Sequence, residues 1–374
     1  MKRNTVSWWM KLILAGLSLT GATMRAETIE LPPDFSPWTW VVDLWADAGY
    51  QDNLLLSKDA REASSFAQLG GQVGLMRIPL GRFHFQTSVT GQEKRFIDGL
   101  SVDHERSFTA ATEMSLDIGQ TWRALLEVNY LFQDQVYDAS VNETNLTSLP
   151  VMSHTVESRP GIRRDFNGGW WSELGANLLR QSFQQDDLDG YWEAGPRWLI
   201  GRRYGRNSEI SAEAGVYQRW YDERVTYTST GTPVEGDPLS YRATSLTLQW
   251  KHQWDEKRRW RTISRVTLER NQDNGSDYFG YDRVTVSEQL RYRTKKWECR
   301  AQIRFSHYVY GLQEADDQQS KRTRSSLRAT LHGEYILTQN LSVHGDYELE
   351  RAISNRTLDE YTSNTVSLGL GYDF

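Results

Sequence analysis

Cysteine is nearly absent from the 374-residue chain; Cys299 is the single one. That excludes an intrachain disulfide framework and any cysteine-rich metal site. Long apolar runs are also missing. Beyond the N-terminal segment no stretch approaches 18 consecutive apolar residues, so no helical membrane span is expected there. Net charge is only −6, with 43 basic residues dispersed among 49 acidic ones, and nothing in that pattern calls for nucleic acid. An apolar share of 38% and a mean hydropathy of −0.65 argue against a helical membrane protein. Aromatic residues, by contrast, are plentiful at 12%, too many for a disordered chain. Low hydropathy does not exclude a membrane β-barrel, because half of each barrel strand is polar.

The N-terminus reads as a targeting segment. Lys2 and Arg3 precede an apolar stretch from Val6 to Ala22, broken by Lys11, with Leu12-Ile13-Leu14-Ala15-Gly16-Leu17 at its centre. This fits a secretory signal over residues 1–26, cleaved after Ala22 or Ala26, although neither site has a clean small residue at −3. Residues 27–37 would then form a periplasmic N-terminal segment and 38–374 the folded body.

That body alternates in steps of two. At the C-terminus Val366, Leu368, Leu370, Tyr372 and Phe374 share one face, and Thr365, Ser367, Gly369, Gly371 and Asp373 the other. The same period runs through Leu327–Leu337, Leu341–Leu349, Trp297–Phe305, Leu246–Trp250, Trp122–Phe132 and Trp38–Ala48. A helix would need apolar residues three and four apart, where these segments place charge. Sixteen strands can be laid out, near 38–50, 62–78, 82–96, 101–118, 121–138, 150–160, 166–180, 190–203, 209–227, 240–254, 258–272, 278–293, 297–311, 320–337, 340–353 and 360–374. The sixth is poorly patterned, and fourteen strands is the even-numbered fallback.

Connections alternate between short turns, such as Pro79-Leu80-Gly81 and Ile118-Gly119-Gln120, and longer loops, such as those near 51–61 and 228–239. Trp and Tyr bracket many strands, among them Trp38 with Tyr50, Trp250 with Trp254, and Trp297, Tyr335 and Tyr372. Short turns on one side, long loops on the other and aromatic girdles at both interfaces describe an all-β, antiparallel transmembrane β-barrel. A soluble β-sandwich also alternates, but this inner face is too charged for a core about 10 Å thick.

With its signal-like start and its Val366-Ser367-Leu368-Gly369-Leu370-Gly371-Tyr372-Asp373-Phe374 ending, the chain resembles the outer-membrane β-barrel proteins of Gram-negative bacteria and is porin-like. The terminal aromatic Phe374 looks like the signal read by the barrel-assembly machinery. The resemblance implies residence in the outer membrane, among its lipid and lipopolysaccharide. It implies no cofactor and leaves solute and oligomeric state open.

Sixteen strands enclose a wide lumen. The inward parity on strands 12 to 14 carries Arg283, Arg291, Arg293, Arg300, Arg304, Arg324 and Arg328, offset only by Glu298 and Glu334. On strands 15, 16 and 1 it carries Asp346, Glu348, Glu350, Asp373, Asp43 and Asp47. Adjacent arcs of opposite sign would set a field across the lumen, or neutralise each other as cross-strand pairs. A turn centred on Thr338 would put Arg328 opposite Glu348 and His332 opposite His344; a turn at Thr294-Lys295 would put Arg291 opposite Glu298. His332 and His344, with Glu334 and Asp346, form a weak candidate metal set. Trp45, Trp171, Tyr217, Tyr308 and Tyr310 point inward and offer either stacking surfaces for sugar rings or internal packing. The stretch Asp138–Asn167 is either a surface loop or an inward fold that narrows the lumen. Asn142 and Asn145 match glycosylation acceptors by pattern only, and Gly70-Gly71-Gln72-Val73-Gly74 is a strand run, not a phosphate loop. His84 with Ser88 is a candidate nucleophilic pair, but no third member joins it, so an enzyme is not expected. The leading expectation is a channel for small hydrophilic solutes or saccharides. The alternatives are a polysaccharide-export conduit and a closed structural or adhesive barrel.

Overall fold

A computed structural model describes residues 36–138, 148–185, 188–205 and 207–374. The expected signal segment, its cleavage sites at Ala22 and Ala26, and Asn142 and Asn145 lie outside the described residues. The strands are β1 (Trp38–Gln51), β2 (Ser64–Arg77), β3 (Phe83–Phe96), β4 (His104–Ile118), β5 (Trp122–Asp138), β6 (Ser148–Asp165), β7 (Trp170–Phe183) and β8 (Tyr191–Tyr204). The second half holds β9 (Ser208–Tyr227), β10 (Pro233–Gln253), β11 (Trp260–Asp273), β12 (Tyr281–Arg293), β13 (Trp297–Glu314), β14 (Lys321–Ile336), β15 (Leu341–Ser354) and β16 (Tyr361–Asp373). Each pairs antiparallel with its sequence neighbours, and β16 pairs with β1 to close a sixteen-stranded up-and-down barrel.

Alternation builds this wall because successive side chains leave opposite faces of a strand. On the outside, Leu44, Val73, Leu174, Leu246, Leu268, Val286, Ile303, Leu331 and Leu368 are all exposed. Exposed apolar residues this continuous need a nonaqueous neighbour, and in a closed barrel that neighbour is lipid. Trp38, Trp40, Trp122, Trp170, Trp254, Trp260, Trp297 and Tyr372 ring the outer surface at the short-turn end. Tyr50, Phe108, Trp192, Trp220 and Tyr347 stand outward nearer the loop end. The tight turns use left-handed backbone at Gly81 (φ 89°) and Gly119 (φ 76°), with open space around both. β9 and β10, at 20 and 21 residues, far exceed the 9–11 that span a bilayer and extend past it on the loop side.

Two expectations change. The sixth strand is not a short 150–160 segment but 18 residues, Ser148–Asp165. Its alternation is blurred by Pro150, Pro160 and Gly161, and its pairing with β7 skips from Ser158 to Gly161, where proline has no N–H to give. β10 starts at Pro233 rather than 240, with register shifts on either side of Pro238 that hide the period.

The turn registers also shift, for one shared reason. Arg328 pairs with Glu350 rather than Glu348, and His332 with Asp346 rather than His344. Glu298 pairs with Arg293 rather than Arg291. In each turn the threonine is the first residue, not the apex. Thr338 Oγ1 accepts the N–H groups of Asn340 (3.3 Å) and Leu341 (3.1 Å), and Thr294 Oγ1 those of Lys296 (3.3 Å) and Trp297 (2.9 Å). Moving the apex by one residue moves every partner by two, which preserves the inward face but changes who meets whom.

At the loop end one ion pair is fully enclosed. Arg322 donates to Asp359 from Nε (2.8 Å) and Nη2 (2.6 Å) and to Gln313 Oε1 (2.6 Å), with its guanidinium 4.5 Å over the Tyr310 ring. The side chains are 0% and 1% exposed, so removing one charge strands the other. We expect Arg322→Met to destabilise the barrel by about 3–5 kcal/mol, and Arg322→Met with Asp359→Leu by much less. Urea unfolding followed by tryptophan fluorescence checks this; equal losses for the single and double variants would refute it.

Candidate functional site

The lumen divides unequally. On the β6–β11 side, inward charges are paired and packed. Arg197 donates to Glu173 at 2.8 Å with both side chains about a tenth exposed, Arg219 to Glu193 at 2.8 Å beneath Tyr191, and Arg159 to Glu157 at 2.8 Å. The Arg163 guanidinium lies 3.9 Å over the Trp171 ring. Of these residues only Trp171 stands out from the sequence as an inward side chain. The signal of the others was there: opposite charges at inward parity on neighbouring strands, as in the register pairs Arg163 with Glu173 and Glu193 with Arg219.

The other side holds a cavity of about 1290 Å³, bounded by β1–β5 and β13–β16. It extends from Asp43, Asp373 and Glu334 near the turn end to Gln51, Phe66 and Tyr361 near the loop end. All six acids expected on the inner wall line it: Asp43, Asp47, Asp346, Glu348, Glu350 and Asp373. Of the seven arginines, Arg300, Arg304, Arg324 and Arg328 line it. Arg283, Arg291 and Arg293 are drawn into ion pairs outside it, Arg283 with Glu269 and the other two with Glu298, at 2.8 Å and 3.5 Å. Glu298 also takes Arg300 at 3.1 Å. Arg328 reaches Glu348 at 2.5 Å, a diagonal contact, since its register partner is Glu350. Arg304, the register neighbour of Arg328, has no ion-pair partner among the described residues and is exposed to the cavity. It is the least neutralised charge on the basic wall.

The expected aromatics separate by seat. Trp45 and Tyr308 line the cavity. Tyr310 is fully buried under Arg322, Trp171 is buried under Arg163, and Tyr217 folds over Gly215. Several inner rings lie flat on a glycine of the adjacent strand, Trp45 on Gly70, Trp171 on Gly201 and Phe66 on Gly49, each a register pair. A Cβ at Gly70 would fall 2.3 Å from the Trp45 indole.

His332 and His344 stack with ring centroids 6.1 Å apart, but each has its own carboxylate, Asp346 at 2.7 Å and Asp47 at 2.6 Å. The observed register sets His332 opposite Asp346 and Glu334 opposite His344, and each imidazole is held by its own carboxylate, His344 by one from β1. Among the described residues no cluster of three or more His, Cys, Asp or Glu is placed to hold a metal ion. His84 is bonded to Asp117 at 3.1 Å, whereas Ser88 sits opposite Ala111. His307 Nδ1 and Ser325 Oγ meet at 2.9 Å on the outer face, with no carboxylate orienting the imidazole.

The loop end is narrowed from within. Leu54, in the β1–β2 loop, is buried against Phe66, Phe96, Val102 and Val136. Asn53 holds that loop down through its amide, donating to Thr362 O at 2.9 Å and Ser57 O at 2.8 Å. The end of β5 turns into the lumen, where Asp138 accepts from Arg324 and from the Tyr361 hydroxyl at 3.1 Å. β5 and β14 stand on opposite walls of the ring, so this contact spans the lumen. Of the stretch 138–167, then, β6 is wall and the Asp138 end points inward.

The class these features define is a transmembrane β-barrel of the outer-membrane type. No family model and no curated protein sequence matches the chain. Among solved structures it is similar to the outer membrane protein OprD from Pseudomonas aeruginosa at 11% identity and a TM-score of 0.42, covering 90% of this chain and 94% of that one. It is similar to OprB of Pseudomonas putida at 11% identity and a TM-score of 0.44, covering 90% and 94%. A bacterial polysaccharide outer membrane secretin aligns at 12% identity and a TM-score of 0.41, covering 89% and 98%. At these values the likenesses add nothing to the architecture already described.

Carboxylates in the loops respond to pH. Asp316 accepts the N–H and hydroxyl of Thr357, both at 2.7 Å, and these bonds hold its pKa below the ordinary value. Asp317, bonded to the N–H groups of Ser320 and Gln319, and Glu360, paired with Lys58 at 2.5 Å, are lowered too. A lowered folded-state pKa contributes stability that is present above the unfolded value, about 4, and lost as pH falls through the folded one. Below about pH 4, amides of 315–320 and 355–360 should lose hydrogen-exchange protection before the strands do. Unchanged protection there at pH 3 would contradict this.

Proposed function

We propose that the protein is a bacterial outer-membrane channel, not an enzyme, passing small hydrophilic solutes or saccharides through a lumen whose walls carry opposite charge. One observation carries the reading: a polar cavity of about 1290 Å³ runs along one side of the barrel, between arginines on β13–β14 and acids on β15, β16 and β1. A structural barrel has no need of a free cation such as Arg304 facing water, whereas a permeating anion or dipolar solute has use for one. The packed β6–β11 side serves as scaffold, so solutes pass off-centre. Phe374, whose N–H donates to Val42 O at 3.0 Å where the barrel closes, fits recognition by the assembly machinery.

A closed barrel is the second reading, favoured by the contact of Arg324 with Asp138 across the lumen and by the inward Leu54. Planar-bilayer recording decides between them. We expect stepwise ion conductance from the purified protein, and a reversal potential displaced toward cation preference in Arg300→Glu with Arg304→Glu. Silence in the bilayer would favour the closed barrel; conductance with an unmoved reversal potential would remove the basic wall from selectivity.

A further inference from the structure

The outer surface carries its own charge pattern. Near the loop end, just beyond the apolar band, arginines project outward from several strands. Three of them are neutralised. Arg95 pairs with Glu93 at 2.7 Å, Arg106 with Asp134 at 2.5 Å, and Arg180 with both oxygens of Asp222 at 2.8 and 2.6 Å.

Arg242 on β10 and Arg270 on β11 differ. Arg242 has no ion pair or hydrogen bond among the described residues. Arg270 has only Asp282, at 3.9 Å, with side chains 65% and 70% exposed, a contact worth little in water. Register makes the two arginines diagonal neighbours, since Arg242 faces Gln272 and Arg270 faces Thr244. Diagonal positions lie about 7–8 Å apart, within the span of two guanidiniums closing on one anion. Gln218, opposite Arg242 on β9, and Gln272 add amide donors to the same patch.

Directly below, toward the turns, the outer face is apolar: Leu246, Leu248, Val266 and Leu268 are all exposed. On β11 the interfacial Trp260 and Arg270 are ten residues apart. At about 3.3 Å per residue and a tilt near 45°, that is about 23 Å along the membrane normal, against an apolar band about 25 Å tall. Arg270 therefore stands at the polar edge of the leaflet on the loop side. An arginine pair offset only by the distant Asp282, above an acyl-chain surface, complements a headgroup that carries phosphate on a multiply acylated body.

We infer that Arg242 and Arg270 form a docking site on the outer wall for a phosphorylated glycolipid of the outer leaflet, the phosphate held between the guanidiniums and the acyl chains laid on Leu246, Leu248, Val266 and Leu268. The inference rests on the barrel crossing a membrane with this face to lipid; it does not depend on the lumen being open.

Native mass spectrometry of the full-length protein in detergent tests it, titrating bisphosphorylated lipid A and its dephosphorylated counterpart with the same chains. We expect saturable binding of the phosphorylated lipid, weakened about tenfold in Arg242→Gln with Arg270→Gln. We expect little change in Arg180→Gln, and partial retention in the double lysine variant. Heat-modifiable migration in gels verifies folding, and the single variants stand in if the double variant does not fold. Equal affinity for the dephosphorylated lipid, undiminished binding by the glutamine variants, or an equal loss in Arg180→Gln would overturn the site. Displacement of the lipid by millimolar inorganic phosphate would mark a free-anion site and overturn it as well.

Discussion

Every backbone N–H and C=O at membrane depth needs a partner inside the protein, because hydrocarbon supplies none. In a sheet that requirement leaves one solution, closure without edges, and here β16 meets β1 over nine register pairs, from Asp43 with Asp373 to Gln51 with Thr365. Closure fixes the rest. It assigns one parity of every strand to lipid and the other to the interior, so most of the wall's charge at membrane depth becomes an internal matter. It also brings Asp43 and Asp47 of the first strand beside the acids of the last two, an arc that exists only because β1 and β16 meet.

Those internal charges are handled in two ways. Across β6–β11 they are spent on each other, and ion pairs such as Arg197 with Glu173 and Arg219 with Glu193 fill the space a solute would need. Such pairs hold because each keeps hydrogen-bonded geometry in a space of reduced dielectric. Across β13–β16 and β1 the acids and bases sort by strand, and neutralisation is incomplete. Glu298 satisfies several arginines at once, yet Arg304 is left to water. The same chemistry thus makes a packed wall on one side and a polar cavity on the other. Arg322 with Asp359 and the inward Asp138 then gather the loops over the mouth.

Much of this was legible in the residues. Period-two patterning located the sixteen strands, and parity alone placed all six acids and four of the arginines on the cavity. What parity does not carry is register. The hydroxyls of Thr294 and Thr338 move each turn apex by one residue, a local hydrogen-bond choice that hydrophobic pattern cannot express, and at Thr338 that choice sets His332 opposite Asp346 rather than His344. Pro160 and Pro238 blurred strands that tertiary pairing nonetheless completes. The burial of Trp171 and Tyr310 was hidden for another reason: inward direction says nothing about which neighbour folds over a ring, and for both it is an arginine of the adjacent strand.

The flat seating of Trp45 on Gly70 and of Phe66 on Gly49 bears on how the interior of such a barrel diversifies. A methyl at Gly70 meets the Trp45 indole alone, so the ring must stand up into the cavity, whereas at Gly49 it also falls 2.3 Å from the Val366 carbonyl oxygen and presses on the β1–β16 seam. At a seat like Gly70 the free width of the lumen is therefore set by the smallest side chain rather than the largest, and a one-carbon change there retunes that width while leaving charge and the lipid-facing surface untouched.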